Sequence, residues 1–239
     1  MDYVLGDGIG YIQFVDIMPD YGHYTYSDGS QISTIEKRVI EAARVSFIGD
    51  KIKKEERTLE KDLRLLRFLI QNGHTTPLEH VNISMVIKAP LFTARQMMRH
   101  RTWSVNEISR RYTHVEPEFY IPREFRKQSK DNKQGTSGIM TDKQNEFFRG
   151  SLNELCENAL ITYNFAIAEG MGNEQARMWL PQNMYTSFIG TVDLKNLLDF
   201  INKRAAQDAQ WEVRAYAIAM QNFVTRIAPN IAKTQWGIS

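Results

Sequence analysis

Between Arg99 and Tyr112 the chain reads RHRTWSVNEISRRY, which puts four arginines and a histidine into fourteen residues. Guanidinium groups repel one another and each carries five N–H donors, so a cluster this dense calls for anions nearby. Glu107 is the only acid inside the stretch. Guanidinium forks match phosphate oxygens in a bidentate way. Gln96, Asn106 and Ser109, interleaved with Arg95, Arg99, Arg101, Arg110 and Arg111, add groups that can hydrogen-bond a sugar or a base. Three readings compete. A solvated charge run is the ordinary fate of clustered charge. A nucleic-acid groove would use arginine and an aromatic ring to follow a backbone and stack bases. A pocket for a small phosphorylated ligand would need apolar walls, and Met97, Met98 and Trp103 supply them. The pocket is the preferred reading.

Other chemistry-bearing residues are sparser. In GHTTPLEH, His74 and His80 flank Glu79, but a spacing of six through a proline turn matches no zinc pattern, and no metal is expected. Cys156 is the single cysteine, so disulfides within the chain and multi-cysteine metal sites are excluded. It falls at a helical core spacing without a basic neighbour, which reads as an inert thiol. Arg177 and Arg204 stand alone in largely apolar helical stretches, each suited to a salt bridge at a helix end or to holding an anion. Gly6, Gly8 and Gly10 space as G-x-G-x-G with no helix directly after them, which predicts a hairpin turn rather than a phosphate loop.

The elements that must position these residues follow from periodicity. The 239 residues are 42% apolar with a formal net charge of +2, enough for one ordinary core and short of the basicity of a dedicated nucleic-acid binder. No apolar run approaches a membrane span and no secretory signal opens the chain, so a cytoplasmic protein is expected. Strands flank the glycine turn, and the polar stretch Pro19 to Gln31 reads as a loop. Helices are expected over TIEKRVIEAARVSF, from about Glu55 to Asn72, and over LFTARQMMRHR. VNISMVIKAP alternates as a half-buried strand ended by Pro90. Arg123 to Ser137 is polar and is expected to be a mobile insertion. A capping box at Thr141 opens a long helix to about Glu169. Further helices are expected around Glu174 to Trp179, Asp193 to Arg204 and Ala209 to Ile227. The fold class is α+β: a single mixed α/β domain over residues 1–239, with a small mostly antiparallel sheet, a helical C-terminal half and no internal repeat.

Arg99, His100 and Arg101, then seven residues, then Ser109, form R-H-R-x7-S, which resembles the signature of the flavin-dependent thymidylate synthases. AARVSF at Ala42, GHTTPLEH at Gly73, KAPLFTARQ at Lys88, EFYIP at Glu118, ARMWLPQNMYT at Ala176 and RAAQDAQWE at Arg204 resemble further blocks of that family in its order. The resemblance covers about residues 36 to 225. It implies reductive methylation of dUMP to dTMP, with methylenetetrahydrofolate as carbon donor and FAD reduced by NADPH as hydride source. It also implies a homotetramer whose active sites lie where subunits meet. By the same likeness, His74, Thr76, Arg99, His100, Arg101, Glu107, Asp193, Lys195 and Asp199 would hold FAD. Gln96, Arg99, Glu107, Ile108, Ser109, Arg110, Arg111, Arg177 and Arg204 would surround the nucleotide. Arg204 would face the uracil N3 as the catalytic residue, with no cysteine nucleophile, no nucleic-acid partner and no membrane. The sequence departs from the pattern at Asp193 and Asp199, where Asn, or His at the second, is usual, and at Asp208, where His is common.

Overall fold

In the computed structural model, which describes residues 1–47, 57–113, 115–133 and 135–238, nine strands and eight α-helices are found among those residues. In chain order the strands are β1 (Asp2–Tyr3), β2 (Tyr11–Met18), β3 (His23–Thr25), β4 (Gln31–Ser33), β5 (Asn82–Pro90), β6 (Ser104–Glu107), β7 (Arg126–Gln128), β8 (Thr136–Ile139) and β9 (Tyr185–Asp193). The helices are α1 (Thr34–Arg44), α2 (Leu59–Gln71), α3 (Leu91–Met97), α4 (Asp142–Ala168), α5 (Asn173–Ala176), α6 (Leu194–Arg204), α7 (Trp211–Ile227) and α8 (Pro229–Trp236). Five strands form one antiparallel sheet in the order β1-β2-β5-β9-β6, and β3-β4 and β7-β8 are separate hairpins.

The sheet is built from the alternation seen in the sequence. Ile83, Met85 and Ile87 on β5 are fully buried against a layer that includes Phe200 of α6 and Tyr216 of α7. Each such side chain contributes about 1.5–3 kcal/mol on leaving water. On the opposite face Ser84 and Thr191 share a hydroxyl contact of 3.0 Å, and Ile189 is exposed. The glycine turn joins β1 to β2 as expected: Gly6 and Gly8 take positive φ, and the Asp7 carboxylate accepts from the amides of Ile9 and Gly10 at 3.0 and 3.2 Å.

Several expectations need correction. The helix placed over LFTARQMMRHR stops at Met97, because the chain turns through His100 N to Met97 O and Trp103 N to His100 O before entering β6. Of the helix from Glu55 to Asn72, Glu55 lies outside the described residues, and α2 begins at Leu59 behind the N-cap Thr58. The loop from Pro19 to Gln31 contains β3 and leads directly into β4. The insertion after Arg123 is held rather than free: β7 and β8 pair, the Phe125 amide donates to Asn145 Oδ1 at 2.7 Å, and Arg126 pairs with Glu212 at 2.5 Å. The capping box is present, with Gln144 N donating to Thr141 Oγ1 and Thr141 N to Gln144 Oε1.

Candidate functional site

The turn and strand from Met98 to Glu107 place the arginine cluster at the sheet edge. β6 pairs with β9, putting Val105 opposite Gly190 and Glu107 opposite Phe188. Glycine at 190 leaves room there, since a Cβ would sit a tight 3.1 Å from the buried Trp103 ring. Trp103 in turn lies 5.1 Å from the Phe200 ring and so fixes the segment against α6.

Two groups of candidate residues form. The first lines a cavity of about 500 Å³ between α3, the residues after β6, and the turn following α5. Arg95, Glu107, Ile108, Arg110 and Arg177 meet there, with Leu91, Met98 and Met184 as apolar wall. Thr186 Oγ1 donates to Glu107 Oε1 at 2.6 Å, which aims that carboxylate. Arg110 is buried and donates to Val115 O at 2.7 Å, and its burial lowers its proton affinity, although an arginine stays charged. Arg177 is exposed on the 3-10 turn Arg177–Trp179, its Nε donating to Glu174 O at 3.3 Å. Arg111 is exposed and lies 3.4 Å from Glu174, and Ser109 Oγ accepts from Arg111 N.

The second group gathers around α6. Asp193 is the helix N-cap, with Oδ1 accepting from Asn196 N at 2.9 Å and Oδ2 from Asn196 Nδ2 at 2.6 Å. One turn on, Lys195 and Asp199 pair at 3.2 Å. Of the three acids that depart from the resembled pattern, Asp193 and Asp199 therefore have partners within the helix. Arg204 ends α6, where a cation is favoured by the helix dipole, and its Nε donates to His100 Nε2 at 3.1 Å. The His100 ring stands edge-on to Phe200 at 4.9 Å. Burial lowers the His100 pKa, the charges of Arg204 and Lys203 lower it further, and Asp199 opposes them. The imidazole is thus neutral at pH 7, accepting at Nε2 and carrying its proton on Nδ1.

The 3-10 turn Thr76–His80 packs against α6, which brings Thr76 and the neighbouring His74 toward this group. His74 is exposed and stacks on Phe68, centroids 5.6 Å apart. Arg99 and Arg101 are exposed and neither has a carboxylate partner among the described residues. A pair of unpartnered guanidinium groups beside a neutral histidine is a donor set that suits a diphosphate. Among the described residues no three His, Cys, Asp or Glu come together to hold a metal, and no helix is long and apolar enough to cross a membrane. Cys156 is buried, accepts from Asn183 Nδ2 at 3.2 Å, and has its thiol pKa pushed up chiefly by burial.

Arg95, Arg110 and Arg177 therefore converge, while Arg99, Arg101 and Arg204 do not reach that cavity. Arg99 does not bridge the two groups within one chain. Thr186 and Gln210 carry no role in the sequence reading. Thr186 lies on β9, whose Tyr, Thr, Phe, Ile and Val content is the signal that identifies a strand. Gln210 becomes visible only as the partner of Gln96, to which it is hydrogen-bonded from the start of α7.

A family profile described as thymidylate synthase complementing protein matches residues 30–230. A flavin-dependent thymidylate synthase of Thermus thermophilus is 39% identical over 220 residues, covering 92% of this chain and 73% of that protein. One of Thermosipho africanus is 35% identical over 229 residues, covering 96% of this chain and 91% of that protein. Among solved structures, PolB from Streptomyces cacaoi, a UMP/dUMP methylase bound with 5-Br dUMP, is similar with a TM-score of 0.80 at 26% identity, covering 96% of this chain and 95% of that one.

Proposed function

We infer that this chain, which belongs to the flavin-dependent thymidylate synthase family, methylates dUMP to dTMP with a bound flavin. The observation that carries the reading is the cavity in which three guanidinium groups, Arg95, Arg110 and Arg177, face one carboxylate, Glu107. That excess of positive charge suits a nucleotide phosphate, and Glu107, held by Thr186, can accept from a sugar or base donor. Ile108 lines the same cavity, and Ser109 and Arg111 would reach the nucleotide from the residues just after it.

The α6 group suits FAD. Arg99, His100 and Arg101 with His74 and Thr76 would hold it, and Lys195 would offset the negative charge of Asp199 beside it. When bound, FAD reduced by NADPH supplies the hydride, and methylenetetrahydrofolate supplies the carbon. The chain's own contribution is electrostatic. Arg204, steadied by neutral His100, would stand at the uracil N3 and favour its deprotonated form, which enriches C5 and makes it the attacking atom. A cysteine nucleophile is then unnecessary, consistent with the buried, high-pKa thiol of Cys156.

Because Arg204 and His100 lie outside the cavity that Arg95, Arg110 and Arg177 line, a complete site would combine groups from neighbouring copies in a homotetramer. Phe147, Leu155, Ile161 and Phe165 leave α4 with exposed apolar side chains, which supports assembly. We take residues 1–239 to act as one domain in the cytoplasm. The test is a flavin spectrum: purified protein is expected to take up FAD, and to oxidise NADPH with formation of dTMP when dUMP and methylenetetrahydrofolate are present. A protein that stays colourless with added FAD would overturn the reading.

A further inference from the structure

A buried carboxylate outside both groups is tied by an amide chain to Gln96, which the family resemblance assigns to the nucleotide. Glu212, in the first turn of α7, is 5% exposed. Its Oε1 accepts from Arg126 Nη2 at 2.5 Å and from Tyr120 Oη at 3.4 Å, and its Oε2 accepts from Gln210 Nε2 at 2.9 Å. Gln210 Oε1 then accepts from Gln96 Nε2. Arg126 also stacks on Trp211, 4.9 Å from its ring, so the β7-β8 hairpin clamps the carboxylate in place.

We propose that Glu212 is a positioning residue which, through Gln210, sets the polarity of Gln96 so that Gln96 presents its carbonyl oxygen, an acceptor, to a hydrogen-bond donor of the nucleotide. The chemistry of the groups dictates the direction. An ionised carboxylate only accepts, so Gln210 must turn its NH₂ toward Glu212 and its oxygen toward Gln96. Gln96 must then spend its NH₂ on Gln210, leaving its own oxygen for the ligand. Without a fixed carboxylate, either amide can flip, and the site loses a defined acceptor. The proposal rests on the reading of Gln96 as part of the nucleotide site and extends it to a residue without ligand contact.

The test is dUMP binding to FAD-loaded protein, followed by the change in flavin absorbance, in a double-mutant cycle of Glu212→Gln and Gln96→Leu. Glu212→Gln keeps the shape but lets position 212 donate as well as accept. Its dUMP dissociation constant is expected to rise about five- to tenfold, the size of one neutral hydrogen bond, with flavin uptake near wild type and a lowered melting temperature, because the buried ion pair to Arg126 is lost. In the Gln96→Leu background the same change is expected to add nothing, because the relay has no terminus there. Should Glu212→Gln fail to fold, Gln210→Met breaks the same chain without touching the buried carboxylate and carries the same expectation. Unchanged dUMP affinity in Glu212→Gln, or additive losses in the cycle, overturns the relay. Wild-type protein that takes up FAD and does not bind dUMP overturns the underlying reading of the site instead.

Discussion

Neutral His100 is the acceptor that steadies Arg204, so acid should disable the site before it unfolds the protein. The bond joins Arg204 Nε to His100 Nε2 at 3.1 Å. Protonated imidazole has no acceptor to offer, and it would place a second cation against Arg204 and Lys203. Burial and those two charges hold the His100 pKa below its ordinary value of 6.5, so the bond is intact at neutral pH and is lost as pH falls through that depressed value. Stability follows the same sign. The unfolded chain takes up the proton first, so this histidine's contribution is complete above about pH 6.5 and is lost as pH falls toward the folded value. A hydrogen bond with a charged donor is worth about 1.5–3 kcal/mol. His100 is only half-buried, and the lower end of that range corresponds to roughly tenfold in rate. Arg204→Ala marks the limiting loss. His100→Gln places an amide oxygen near the Nε2 position with no proton to gain. The assay is kcat/KM against pH on the flavin-loaded fraction, expected to show an acid limb of about tenfold in wild type that is absent in His100→Gln. An acid limb of unchanged midpoint in His100→Gln would refute the assignment.

Cys156→Ala is expected to keep turnover near wild type, because the thiol is buried with a raised pKa and faces Asn183 rather than either group; loss of turnover in a folded variant would reopen a covalent route. Asp62→Asn is expected to be strongly destabilising. Asp62 is fully buried and takes Lys37 at 2.8 Å, Tyr26 Oη at 2.5 Å and the Arg44 guanidinium. Removing its charge takes the carboxylate from Arg44 and leaves Lys37 with Glu41 alone, a loss of about 3–5 kcal/mol, which at this chain length lowers Tm by roughly 6–20 °C. Calorimetry that finds Tm within about 2 °C of wild type would show that the cations find other partners.

What could be read from the sequence was chemistry carried by short segments. The capping box at Thr141, the alternation of β5 and the glycine turn at Gly6 to Gly10 are each decided within a few residues, and each forms as read. The crowding of arginine with Met98 likewise pointed to a pocket, and Met98 lines the wall on which Arg95 and Arg110 meet. β9 escaped because Ser187 and Gly190 interrupt a strand pattern that tertiary packing completes: Gly190 weakens propensity, and its missing Cβ leaves room beside Trp103. α8 escaped because Pro229 reads as a stop, whereas at the first helical position it starts a helix, and Glu36 from α1 then accepts from the amides of Asn230 and Ile231 at 2.6 and 3.1 Å.

The site itself divides along the same line. His100 and Arg204 are 104 residues apart, and Glu212 reaches Gln96 only through Gln210. No local pattern states that a histidine will be an acceptor rather than a cation, since that depends on which charges the fold brings beside it. The arginine cluster is stated by the sequence alone; the acceptor role of His100 and the direction of the Gln210 and Gln96 amides are set by the partners the fold brings beside them. Sequence periodicity identifies the first kind of residue, and only the three-dimensional arrangement assigns the second.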